Sequence, residues 1–368
     1  MGNLRRLYDE FGQSPWLDNL KRGWITSGEL ARWIERGVRG ITSNPTIFAK
    51  AIWGATDYDE QFCQLATQGR TVEDAYWEMV TRDIEDALAL LRPAYDETGG
   101  HDGFVSVEVA PALARDTAAT IEAARKLWRE IDEPNLLVKI PATAEGLPAI
   151  RTCLSEGINI NVTLLFGLER YGEVIDAFMG GLEDRVAAGG EIATIDSVAS
   201  FFVSRVDTEV DRRLEAIGTP EALALRGKAA VANAQLAYEL FLERFDTPRW
   251  KALAAKGAEV QRPLWASTST KNPAYPDTVY VDSLIGPSTV NTMPETTLEQ
   301  FEDHGTLART VDADFAAAHD VIDRLTAVGI DMRDVTKTLE EEGVASFSKS
   351  YDELITSLET KADSLRRG

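Results

Sequence analysis

Short apolar runs alternate with longer stretches of helical period along the 368 residues of the chain. Eight runs read as strands: "PWLDNL" (15–20), "VRGIT" (38–42), "GFVSVEV" (103–109), "NLLVKI" (135–140), "INVTLLF" (160–166), "ATIDSVASFFV" (193–203, strand in part), "RPLWAS" (262–267) and "TVYVDSLI" (278–285). They are rich in Val, Ile and Leu and alternate only weakly, which suits parallel strands covered by helices. The stretches between them carry helix punctuation. Thr26 and Glu29 have capping-box spacing, and Gly37 suits the stop of that helix. The run "TVEDAYWEMVTRDIEDALALLRP" is expected to end at Pro93. Asp116 and the Thr that opens "TAEGLPAIRTCLSEG" read as N-caps. Thr219 caps a further run, with Pro220 in its first helical position.

Eight strands alternating with helices predict an α/β fold, a (β/α)8 TIM-type barrel. The chain exceeds the ~250 residues typical of that architecture. The excess reads as extra helix at 52–100 and 207–258, and as an amphipathic tail, "SFSKSYDELITSLETKADSLRRG", expected to pack back on the barrel. No Pro/Ser/Gly-rich linker or repeat divides the chain, so residues 1–368 are expected to form one domain.

Polar residues interrupt the apolar strands in a repeated way. Asp18 falls in "PWLDNL", Asn44 just after "VRGITS", Glu108 in "VSVEV", Lys139 in "LLVKI", and Asn161 with Thr163 in "INVTLL". Any one of these could be a strand end reaching solvent. Five consecutive strands with the same habit point instead to one barrel mouth, because inward residues near the C-terminal strand ends converge there. Asn161 and Thr163 are two apart and share a face, as do Leu137, Lys139 and Pro141. A free lysine is protonated at neutral pH and cannot attack a carbonyl. Burial among aliphatic side chains disfavours the charged form and frees an amine able to form a Schiff base. A carboxylate touching the amine would oppose that, so the carboxylates are expected within proton-relay range of a substrate rather than against Lys139. A buried structural pair of Lys139 with Glu108 is the competing account.

Composition narrows the partners. The net charge of −22 argues against nucleic acid, and it requires a local cationic cluster if the substrate is an anion. The two cysteines and three histidines have no disulfide framework or metal-ligand spacing, so no metal is expected. No apolar run approaches the ~20 residues needed to span a membrane. The charged start "MGNLRRLYDEFGQ" has no apolar signal-peptide core. A cytoplasmic protein is the expectation. Neither GxGxxG nor a phosphate-loop pattern is present, and no cofactor is expected.

At this point the motifs resemble those of the transaldolase family. "GVRGITSNPTIFAKAI" resembles its Thr-x-Asn-Pro signature, and "LLVKIPAT" the stretch around its Schiff-base lysine. "GININVTLLF" and "ASFFVSRVD" are similar to further family segments, and residues 262–295 to its longer bacterial subgroup. The resemblance implies transfer of a three-carbon dihydroxyacetone unit from a ketose phosphate to an aldose phosphate, within the non-oxidative pentose phosphate pathway. It implies that Lys139 forms the imine, that Asp18 shuttles the proton of the donor's C4 hydroxyl, and that Glu108 and Thr163 hold the water of carbinolamine formation. Asn44 and Asn161 would bind the dihydroxyacetone part, Ser200 and Arg205 the phosphate, with Phe202 in the same pocket. An arginine fork suits bidentate phosphate contact. Family members place a second arginine in an Ala-Ser-x-Arg-Asn type segment. The corresponding "ASTSTKN" is longer by two residues and offers Lys271 as a point charge. A homodimer is a further expectation of the resemblance. Two alternatives stay open: a fructose-6-phosphate aldolase-like lyase, whose members carry Tyr or Gln where this chain has Phe202 and Glu108, and an inactive barrel kept for binding.

Overall fold

The computed structural model describes residues 2–53 and 55–367. Gly368, the last residue of the predicted tail helix, lies outside the described residues. Eight parallel strands close into a barrel: β1 (Gln13–Leu17), β2 (Gly40–Thr42), β3 (Phe104–Glu108), β4 (Leu136–Pro141), β5 (Ile160–Leu165), β6 (Ser197–Phe202), β7 (Arg262–Ala266) and β8 (Thr289–Met293). They pair in sequence order, and β8 returns to β1 with Pro15 beside Asn291. Helices occupy the connections, which is the predicted (β/α)8 barrel.

Seven strands fall where the apolar runs predict them, with shifted ends, and the eighth does not. "TVYVDSLI" forms a short helix, Val279–Asp282, and a turn. Its buried apolar residues, Tyr280, Val281, Leu284 and Ile285, recur with helical rather than alternating spacing. The Tyr280 hydroxyl donates to Asp207 at 2.8 Å, which docks the segment on the helix Ser204–Ile217. The eighth strand is "TVNTM", a run with too few aliphatic residues to stand out beside its neighbour.

Helix signals fare unevenly. Asp116 and Thr219 cap as predicted, their side chains accepting from Ala119 N–H and Ala222 N–H. The Thr219 run is not one helix, however. It breaks at Gly227, which has φ +69°, into Pro220–Leu223 and Ala229–Arg244. Thr26 is not an N-cap. It ends the helix Arg22–Thr26, and its hydroxyl donates back to the carbonyls of Arg22 and Gly23. Pro93 does not stop its helix, which runs from Val72 to Glu97. A buried face from Ala75 through Leu91 anchors that helix, which outweighs the one bond the proline removes.

The N-terminal end of the barrel is plugged. The Trp16 indole donates to Asp102 at 3.0 Å, Ser14 donates to the same carboxylate at 2.5 Å, and Arg39 lies 3.3 Å from it. Gly40 makes room for that ring, since a Cβ there would stand 2.3 Å from it. Chemistry is thus confined to the opposite, C-terminal mouth. The tail helix, Met332–Arg367, packs along that side against the helices Pro45–Trp53, Val72–Glu97 and Ser204–Ile217. Thr46 donates to Ser350 at 3.0 Å, and the Tyr351 hydroxyl to Glu73 at 2.9 Å.

Candidate active site

Strand register sets the centre of the site. Glu108 of β3 stands beside Lys139 of β4, and Lys139 beside Asn161 of β5. All three are buried. Lys139 Nζ lies 3.5 Å from Glu108 Oε2 and donates to the Ser43 carbonyl at 3.3 Å. This corrects the expectation that the carboxylates stand off from the amine. Neighbouring parallel strands put equal-register inward residues side by side, so Glu108 and Lys139 meet directly.

The contact is not a simple ion pair. Burial pushes the Glu108 carboxyl up to about 7, against the pull of the Lys139 charge, with Asp18 adding a smaller push. Near neutral pH the carboxyl is poised to accept a proton or to give one up. Asp18 follows β1 and is half-buried. Its carboxylate accepts from the Thr42 hydroxyl at 2.7 Å, and Thr42 in turn lies 2.6 Å from the Thr292 hydroxyl. Burial raises Asp18 as well, opposed first by the charge of Lys139 and then by the Thr42 bond. Two carboxyls and one amine therefore share a poorly solvated mouth.

Polar side chains on β3, β5 and β6 form a second row. Asn161 donates to Ser106 at 2.9 Å and accepts from Ser200 at 2.7 Å, which fixes its amide. Thr163, beside Pro141 of β4, is buried with no hydrogen-bond partner for its hydroxyl among the described residues. A buried hydroxyl in that position calls for a partner from outside the chain. Just after it, β5 bulges against β6, and Leu164 takes a left-handed φ of +54°. The extra residue turns the alternation over, so Leu165 pairs with Phe201 on the outer face while Asn161 and Thr163 face inward. Asn44 follows β2 and uses its carbonyl oxygen to accept from Ile47 N–H at 3.0 Å, leaving its amide nitrogen unengaged among the described residues. A cavity of about 10 Å³, room for one water, lies between Asn44, Glu108, Tyr76 and Tyr351.

The cationic side of the mouth comes from β6 and β7. Arg205 stands in the first turn of the helix after β6, with its guanidinium 5.0 Å from the Phe202 ring. It makes no ion pair or side-chain hydrogen bond with any described residue. Burial draws it below its ordinary value, and Asp18 and Glu108 oppose that. Lys271, on the loop after β7, is exposed and donates to Ser269 at 2.7 Å. Burial of part of its chain and the charge of Arg205 hold it below the usual lysine value. It stands at the rim, apart from the buried row. Phe202 packs on Phe166 with ring centroids 5.2 Å apart. A larger cleft of about 650 Å³ runs between Phe166 and the first turns of the tail helix, and none of the predicted residues lines it.

Several contributors escape a residue-by-residue reading of the sequence. Ser43 reaches the amine through its carbonyl, which carries no side-chain signal. Thr292 sits in the strand that was misplaced. Thr42 and Ser106 were findable, since Ser106 is two residues before Glu108 and therefore on the same face.

Fold and site together define a class: a parallel barrel that gathers a buried amine, two carboxyls raised by burial and an arginine unpaired among the described residues in its C-terminal mouth. Among the described residues no cluster of His, Cys, Asp and Glu has the makings of a metal site, and no helix is long and apolar enough to cross a membrane. The family model described as "Transaldolase/Fructose-6-phosphate aldolase" matches residues 15–358, and the chain belongs to that family. A protein named "Transaldolase" from Parafrankia sp. (strain EAN1pec) is 55% identical over 349 residues, covering 94% of this chain and 95% of its own. Another of that name from Thermobifida fusca is 54% identical, covering 96% and 97%. A third, from Saccharopolyspora erythraea, is 53% identical over 98% of both chains.

Proposed function

We propose that the chain is a transaldolase, moving a dihydroxyacetone unit from a ketose phosphate such as sedoheptulose 7-phosphate or fructose 6-phosphate to glyceraldehyde 3-phosphate or erythrose 4-phosphate. The observation that carries this reading is the buried Lys139 amine 3.5 Å from a carboxyl held near 7, in the same mouth as the unpaired Arg205. Lys139 loses a proton to Glu108 and attacks the ketose carbonyl. Carbinolamine collapse expels water, for which Thr163 Oγ1 and the Glu108 carboxyl supply hydrogen-bonding partners. Asp18 takes the proton from the C4 hydroxyl as the C3–C4 bond breaks, and the electron pair passes into the imine. The aldose phosphate leaves, the acceptor aldehyde enters, and Asp18 returns its proton as the new bond forms. Water then adds back to the product imine and the carbinolamine collapses, freeing the new ketose phosphate and the Lys139 amine. Asn44 and Asn161 hold the dihydroxyacetone hydroxyls. Ser200, Arg205 and, from the rim, Lys271 receive the phosphate.

Phe202 favours transfer over simple cleavage, because its ring brings no hydroxyl to activate a water. The same reading includes cytoplasmic soluble sugar phosphates as substrates and a homodimer as the assembly. The test is turnover of fructose 6-phosphate with and without erythrose 4-phosphate. Turnover that depends on the acceptor supports the transferase. Full-rate cleavage without it would make the chain a lyase, and no turnover of either kind would leave an inactive barrel.

A further inference from the structure

The Arg205 guanidinium lies over two aromatic rings that come from distant parts of the chain. Phe202 belongs to β6, and its ring lies 5.0 Å away. Phe347 belongs to the tail helix, is buried, and its ring lies 5.9 Å away. One helical turn earlier the tail presents Gly343. A Cβ at that position would stand 2.9 Å from the tip of Leu164 and 3.7 Å from Arg205 Nη1. Gly343 and Phe347 are four apart, so one stripe of the tail helix lies along the arginine. A glycine inside a helix weakens it, and here the missing side chain is what allows the close approach. The contacts of Thr46 with Ser350 and of Tyr351 with Glu73 hold the next turn in place.

We propose that Phe347 is a positioning residue for phosphate recognition: with Phe202 it brackets the Arg205 guanidinium, so the tail helix sets the affinity for the phosphate end of the substrate. The proposal rests on the reading of Arg205 as the phosphate residue. An arginine that pairs with no carboxylate of the described residues would otherwise sample many rotamers, and the bracket of two rings limits that freedom before the anion arrives. The flat faces of the rings also favour the cation while leaving its N–H edge free for the phosphate oxygens. The ring of Phe347 acts through Arg205, so its effect is assigned to the phosphate end of the substrate.

The experiment uses the full chain with Phe347→Leu, Phe347→Ala, Arg205→Ala and the double variant Arg205→Ala/Phe347→Leu. Three quantities are read: inhibition by inorganic phosphate, kcat/KM for fructose 6-phosphate, and kcat/KM for fructose, with glyceraldehyde as acceptor throughout. Phe347→Leu keeps the apolar volume and removes the ring, and it decides the matter if Phe347→Ala fails to fold. Loss of one cation–ring contact is expected to weaken phosphate inhibition roughly 3- to 30-fold and to lower the preference for fructose 6-phosphate over fructose by a similar factor. In the Arg205→Ala background Phe347→Leu should change neither quantity further. If Arg205→Ala leaves phosphate inhibition intact, the reading of Arg205 falls. If Arg205→Ala weakens it but Phe347→Leu does not, the role of Phe347 falls. Equal losses on fructose and fructose 6-phosphate in Phe347→Leu would also overturn that role, since they would mark general packing.

Discussion

Replacing Glu108 with glutamine removes the nearest proton acceptor to the Lys139 amine while keeping its shape. The carboxyl stands 3.5 Å from Nζ, and burial lifts it from an ordinary 4.5 to about 7. Such a rise penalises the ionised form by about 3 kcal/mol relative to water, at about 1.4 kcal/mol per pH unit. Ionised and protonated Glu108 are then equally populated near neutrality. Below that point the acceptor is already filled and cannot take the proton that Lys139 must lose. The wild-type kcat/KM for fructose 6-phosphate should therefore fall on acidification with a midpoint near 7. The assay is steady-state transfer to erythrose 4-phosphate across about two pH units on either side of neutrality, where kcat/KM reports groups of the free enzyme. Glu108→Gln should lower kcat/KM by roughly 10²- to 10⁴-fold, the usual contribution of a positioned acid–base group, and should erase the limb near 7. A variant that keeps both the rate and the limb would refute the assignment of that proton to Glu108.

Further expectations follow from the other contacts. Asp18→Asn should still trap a reduced imine with a ketose phosphate, because Lys139 is intact, yet lose roughly 10²- to 10⁴-fold in cleavage measured by release of the aldose phosphate. Loss of trapping together with cleavage would move Asp18 into the imine-forming step. Arg205→Lys keeps the charge but not the fork. The KM for fructose 6-phosphate should rise roughly 10- to 100-fold, as loss of a charge-assisted bond worth about 1.5–3 kcal/mol requires. An unchanged KM would place the phosphate elsewhere. Gly40→Ala puts a Cβ 2.3 Å from a Trp16 ring that Asp102 and Ser14 hold in place. Denaturant unfolding should show a loss of about 1–3 kcal/mol or more from overpacking, with no change of slope. A variant as stable as the parent would mean that the plug at the N-terminal end yields easily.

Much of this was legible in the sequence where the physics is local and periodic. The strand runs, the caps at Asp116 and Thr219, and the inward polar residues of five strands all follow from spacing along the chain. The distance of Glu108 from Lys139 was not legible, because it depends on the register between two strands, which residue types alone do not specify. Register brings Glu108 against Lys139, and desolvation raises that carboxyl to about 7. The eighth strand was misplaced because "TVYVDSLI" is more apolar than "TVNTM", while docking through Tyr280 on Asp207 favours a helix there. Pro93 misled for a similar reason, since tertiary burial carried the helix past it. The contact of Phe347 with Arg205 spans 142 positions of chain and has no local signature.

The central claim is that Lys139 is the nucleophile, and borohydride trapping tests it most directly. The full chain is mixed with fructose 6-phosphate in the absence of an acceptor, reduced with borohydride, digested and mapped by mass spectrometry. The account predicts a reduced three-carbon adduct on the peptide carrying Lys139, absent without the ketose phosphate and absent in Lys139→Arg, whose guanidinium forms no imine. An unmodified Lys139 peptide, or an adduct on Lys271 instead, would contradict it.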